Sequence, residues 1–115
     1  MNSFSGKIIK GKGIGRELGF PTANIEINKN DLGLGAGVYA ARAEILSKEY
    51  GAALTVMENP FIVEVYLINF PNSDIYGDTL EVSPIEKVSE IEKCDSQEEL
   101  KEKIIADLKK IKKIL

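Results

Sequence analysis

Phe61-Ile62-Val63-Glu64-Val65-Tyr66-Leu67-Ile68-Asn69-Phe70 decides the fold class. β-branched and aromatic side chains dominate both alternating faces of this run, so it reads as a strand buried on both sides. Its one carboxylate, Glu64, shares a face with Ile62, Tyr66 and Ile68, where a charge is costly unless it is paired or put to use. Upstream, Tyr50 to Met57 reads as a strand paired with Val38 to Ile45, in which Tyr39, Ala41, Ala43 and Ile45 fall on one face. Between Ile25-Glu26-Ile27, which alternates, and Val38, the stretch from Asn28 to Gly37 carries three glycines and reads as an irregular loop. Gly6 to Lys10 is a further short strand. Downstream, Pro71-Asn72-Ser73-Asp74 is a turn, and Thr79 to Val88 is a strand bent at Pro84.

The end of the chain changes period. Ser96 and Glu99 form a capping box, after which Leu100, Ile104, Leu108, Ile111 and Leu115 recur at helical spacing. Glu98 and Glu99 at the start and Lys109, Lys110, Lys112 and Lys113 at the end suit the helix dipole, and the spacing predicts a helix over 97–114. Five or six short strands with one terminal helix predict a mainly β fold, a small closed or nearly closed antiparallel β-barrel with the C-terminal helix packed outside it.

The chain has 115 residues, a size expected for a single domain (1–115) with no room for a second catalytic one. There is no histidine, and Cys94 is the only cysteine. An internal disulfide, a zinc site of the usual ligands and every histidine-based triad are therefore excluded. Chemistry must come from carboxylates, hydroxyls, amides, lysines or a bound ion. The start lacks a basic segment followed by an apolar one, and no apolar window is long enough for a membrane span, so a cytoplasmic protein without membrane partners is expected. A net charge of −3 argues against nucleic-acid binding, which needs a dense cationic footprint. The average hides an asymmetry: Lys7, Lys10, Lys12 and Arg16 all precede the first acidic residue, Glu17. The amino-terminal segment is thus a cationic patch broken by glycines, suited to phosphate.

Within it, Gly11-Lys12-Gly13-Ile14-Gly15-Arg16-Glu17-Leu18-Gly19 fits neither a Walker A loop, lacking Gly-Lys-Ser/Thr, nor the dinucleotide fingerprint, whose third glycine would fall on Arg16 or Leu18. By itself the run reads equally well as a hairpin turn. Pro21-Thr22-Ala23-Asn24 follows, and in an extended segment the Thr22 hydroxyl and Asn24 carboxamide point the same way. Two neutral oxygens so spaced suit Mg²⁺, which takes its other ligands from phosphate and water, although they would also serve turn backbone groups.

Gly11 to Asn24, GKGIGRELGFPTAN, resembles the signature of the riboflavin kinase family. Gly37-Val38-Tyr39, Glu64 in the apolar strand, Asp74-Ile75-Tyr76-Gly77 and Ser96-Gln97-Glu98-Glu99-Leu100 keep the family's order, so the resemblance spans nearly the whole chain. It implies a Greek-key barrel, ATP and riboflavin as substrates, and Mg²⁺ or another divalent cation. Gly11, Lys12, Gly13, Gly15, Arg16, Pro21 and Thr22 would then approach the ATP phosphates, with Thr22 and Asn24 on the metal. Glu64 would be the catalytic base, and Tyr76 and Asn59 would lie near the flavin. A glutamate in a salt bridge or at a solvated edge is the plainer alternative for Glu64.

The second half departs from the family pattern. Leu54 to Phe61 keeps only Asn59-Pro60 of the family's longer connection, Tyr66 stands where a histidine is usual, Ser89 where an arginine is expected and Cys94 where a phenylalanine is usual. The resemblance implies phosphoryl transfer from ATP to the ribityl 5′-hydroxyl of riboflavin by a monomer with small-molecule partners only. A degenerate flavin- or nucleotide-binding module, or a kinase for a related alcohol, are the alternatives.

Overall fold

Six strands close into one antiparallel barrel in the computed structural model, which describes residues 1–10, 22–71 and 74–115. They are β1 (Phe4–Ile9), β2 (Ala23–Glu26), β3 (Gly37–Ile45), β4 (Lys48–Met57), β5 (Ile62–Leu67) and β6 (Thr79–Ser89). Around the barrel they run β1-β2-β5-β4-β3-β6, and β6 pairs with β1 to close the ring. Strands β3, β4 and β5 follow one another as hairpins, and β2 reaches its place beside β5 through the long connection before β3, which is the Greek-key arrangement. Among the described residues this closure leaves no open sheet edge.

Period-two patterning fills the interior. Ile8, Leu54, Val56, Val63, Val65, Leu80 and Val82 are all but inaccessible to solvent. In β3 the expected face, Tyr39, Ala41, Ala43 and Ile45, joins this core. The opposite face of β3 is buried as well, because Val38 and Ala40 pack against Ile111 of the terminal helix in a second cluster. Ala40 is small enough to let the helix lie close on this outer side, while Ala41 and Ala43 face the barrel interior.

The terminal helix, α2, spans Gln97–Ile114 as its spacing predicts. The Ser96 hydroxyl accepts from the Glu99 N–H at 3.1 Å, and the Glu99 carboxylate reaches back to the Asp95 N–H at 3.2 Å. This is a capping box displaced by one residue at its return bond. The helix packs on the outer faces of β3, β4 and β6.

Two local readings need correction, and a third, the bend at Pro84, holds and extends further. The stretch after Asn28 is not wholly irregular, since Lys29–Leu32 makes a one-turn helix, α1, ended by Gly33 in the left-handed region at φ 70°. Strand β5 stops at Leu67 rather than at Phe70, and Asn69, at φ 61°, turns the chain away. In β6 the bend spreads over two register shifts, one pairing Ala40 with Glu86 but Ala41 with Pro84, the other between Val38 and Tyr39. Pro84 has no N–H for the ladder, and the bulges carry the end of β6 toward α2. Among the described residues no helix is long and apolar enough to cross a membrane.

Candidate functional site

Three sequence-selected side chains meet on the outside of the barrel. In the antiparallel β2–β5 ladder Asn24 lies directly opposite Glu64, and on the other side of β5 Glu64 lies opposite Thr55 of β4. Directly opposed residues point to the same face, so Glu64 is flanked by a carboxamide and a hydroxyl. Thr22 precedes Asn24 by two residues, and its hydroxyl donates to Glu64 Oε2 at 3.4 Å. That is long for an O–H···O bond, so the hydroxyl is only loosely held. Burial pushes the Glu64 carboxyl above its ordinary value, and the Thr22 hydroxyl offsets part of the rise.

Thr22 and Glu64 open into a pocket of about 240 Å³ between the barrel and α2. Its floor is Val38, Ala53, Thr55 and Met57 with Tyr66, its wall is Leu100, Ile104 and Leu108, and Ile91 with Glu92 stands at the side. The pocket is mainly apolar with a few polar groups, the usual make-up of a small-molecule site. Two of those groups come from the helix: Lys103 Nζ donates to Asp107 Oδ2 at 2.7 Å and to Ser89 Oγ at 3.1 Å. The side chains of this pair are only 13% and 9% exposed.

The structure therefore brings Thr22, Asn24 and Glu64 together. Gly11, Lys12, Gly13, Gly15, Arg16 and Pro21 lie outside the described residues. Tyr76 and Asn59 do not line the pocket. Tyr76 is exposed, with the Lys10 ammonium 5.7 Å from its ring centre, and Asn59 sits in the β4–β5 turn at φ 55°. Sequence reasoning missed Lys103 and Asp107, and it marked Ser89 only as the place of an absent arginine. The signal was present, because Lys103 and Asp107 fall one turn apart inside the apolar stripe of α2. Among the described residues no group of three or more His, Cys, Asp or Glu side chains is arranged to hold a metal ion. Any cation at Thr22 and Asn24 would accordingly rest on neutral oxygens and on ligands brought by the substrate.

Residues 2–115 match the family model described as Flavokinase: Riboflavin kinase. The chain is 33% identical over 115 residues to the RNA-binding riboflavin kinase RibR of Bacillus subtilis (strain 168), covering 94% of this chain and 49% of that protein. It is 35% identical over 120 residues to a bifunctional riboflavin kinase/FMN adenylyltransferase of Buchnera aphidicola subsp. Schizaphis graminum, covering 96% of this chain and 38% of the relative. The chain thus spans half or less of the length of these curated relatives. The crystal structure of riboflavin kinase from Trypanosoma brucei superposes with a TM-score of 0.79 at 21% identity, over 98% of this chain and 76% of that one, a likeness of fold.

Proposed function

The chain belongs to the riboflavin kinase family, and on that premise we propose that it transfers the γ-phosphate of ATP to the ribityl 5′-hydroxyl of riboflavin, giving FMN and ADP. The observation that carries this reading is Glu64. A carboxylate with a raised pKa stands at the mouth of an apolar pocket, with the Thr22 hydroxyl and Asn24 carboxamide beside it. A raised pKa makes the carboxylate a stronger base toward an alcohol proton.

The apolar floor and helix wall take the flavin ring, which leaves the ribityl chain to reach Glu64. Glu64 accepts the 5′-hydroxyl proton as the hydroxyl oxygen bonds to the γ-phosphorus; the bond from that phosphorus to the bridging oxygen breaks, and ADP leaves with the electron pair. Thr22 and Asn24 fit a divalent cation such as Mg²⁺, which when bound supplies charge neutralisation at the transferred phosphoryl group. The cationic residues Lys12 and Arg16 and the glycines from Gly11 to Gly15 are assigned to the ATP phosphates, with Pro21 ordering the approach to Thr22. Because such transfers need little covalent help, alignment by these groups carries most of the rate.

Small molecules are the proposed partners of a cytoplasmic monomer, supported by the closed barrel and the net charge of −3. The relative named as RNA-binding makes a filter-binding titration with RNA at two salt concentrations the direct check on that proposal. The main experiment is incubation with riboflavin, ATP and Mg²⁺ followed by separation of riboflavin from FMN. FMN and ADP in equal amounts are expected; bound riboflavin with no ADP would make the chain a flavin-binding module and overturn the kinase reading.

A further inference from the structure

Helix α2 spends two positions of its barrel-facing stripe on charges. Lys103 and Asp107 lie among Leu100, Ile104, Leu108 and Ile111, and Asp107 is the buried charged residue among the described residues. Stability does not account for them. Desolvating two ions costs several kcal/mol each by general experience, and well-packed apolar residues usually do as well or better. The order of the pair, cation before anion at i,i+4, is also the weaker one for a helix.

Hydrogen-bonding capacity shows what the pair leaves unused. A lysine ammonium has three N–H donors, and two are engaged, by Asp107 Oδ2 and Ser89 Oγ. Asp107 Oδ2 accepts from Lys103, while Oδ1 has no donor among the described residues. Asp107 is 7% exposed, yet no fully inaccessible side-chain oxygen or nitrogen lacks a partner among the described residues. Its free oxygen therefore keeps access to space, and both residues line the pocket. Among the described residues the pair thus keeps one N–H and one carboxylate oxygen without a partner, and both residues line a largely apolar pocket.

We propose that Lys103 and Asp107 form a donor–acceptor reader for the edge of a planar heterocycle where a carbonyl oxygen adjoins a ring N–H. The third ammonium N–H donates to the carbonyl, and Asp107 Oδ1 accepts from the ring nitrogen. The inference rests on the flavin reading of the pocket, because the imide edge of the flavin pyrimidine ring is such an edge. Ser89 holds the ammonium in place from the bulged end of β6. These are specificity-determining residues; the proton transfer stays with Glu64. The pair sets which end of the ring system enters first, so that the ribityl chain emerges toward Thr22 and Glu64.

The decisive measurement is the affinity of the full chain for riboflavin and for 3-methylriboflavin, which lacks the imide N–H, each followed by flavin fluorescence. Hydrogen bonds to charged groups predict roughly 10- to 100-fold weaker binding of the methylated flavin. Asp107→Asn should narrow that gap to about threefold, because the acceptor-only carboxylate is gone. Lys103→Met should raise KM for riboflavin roughly tenfold while kcat and KM for ATP change little. Equal wild-type affinity for the two flavins overturns the pair's role and leaves the kinase reading standing. So does a Lys103→Met variant impaired in kcat alone. Absence of any riboflavin binding overturns both. The wild-type comparison needs no variant, so a substitution that fails to fold does not shield the proposal.

Discussion

Burial at the pocket raises the Glu64 carboxyl pKa, with the Thr22 hydroxyl offsetting part of the rise, and under the proposed mechanism the same desolvation would act on both stability and rate. A carboxyl whose pKa is higher in the folded than in the unfolded chain favours folding while it is protonated. That contribution is complete below the ordinary value of 4.5 and is lost as pH rises through the raised value. Glu64→Gln removes a charge the fold disfavours, so thermal melts should show a more stable variant at pH 7 to 8. The advantage should vanish as pH falls toward 4.5, and a variant less stable at pH 7 would mean that the carboxylate is well paired. Turnover should fall about 10²- to 10⁴-fold while ATP affinity holds, as expected on loss of a general base. Glu64 was legible in the sequence because a lone carboxylate in Phe61 to Phe70 contradicts its surroundings. Lys103 and Asp107 carried a signal too, one turn apart in the apolar stripe of α2, but a helix carrying Lys101, Lys109, Lys110, Lys112 and Lys113 makes one further lysine look like solvated surface.

Among the strands, β1 is the one whose position depends most on a missing side chain. Gly6 sits where a Cβ would come within 2.5 Å of the Glu26 carbonyl oxygen and of Ile25 Cγ2. Neither can yield cheaply, since one is backbone of β2 and the other belongs to a buried side chain. Gly6→Ala should force β1 and β2 apart at the Lys7–Glu26 pairing and cost about 1–3 kcal/mol, read as a lower midpoint in urea. Because Asn24 lies further along the same ladder, the loss should extend to metal-dependent nucleotide binding. Element identity was readable where periodicity is strong, in β3, β4, β5 and above all α2, whose ends agree with its capping box and apolar repeat. Element ends were less so. Asn69 at positive φ, the bulges around Pro84 and the single turn at Lys29–Leu32 are set by tertiary pairing and closure, which no local window carries.

For the molecule as a whole, the pocket lies between the closed barrel and a helix laid on its outside, so a ligand filling it would couple its binding to helix docking. A ligand that binds only the folded state adds about 2.7 kcal/mol at 100 times its Kd, which for a domain near this size raises Tm by roughly 10 °C. Ile111 is fully buried and joins α2 to Val38 and Ala40, and Ile111→Ala should cost about 2–5 kcal/mol. If riboflavin needs Leu100, Ile104 and Lys103 as well as Glu64, part of its binding energy in that variant must go to redocking the helix. The riboflavin-induced rise in Tm should then be smaller in Ile111→Ala than in the wild type at the same ligand concentration. The rise induced by MgATP should be equal in both, because Asn24 lies in β2 and Thr22 directly precedes that strand. Equal shifts with riboflavin would place the flavin wholly on the barrel and detach the helix from substrate binding. A reduced shift with riboflavin alone identifies α2 as half of the flavin site.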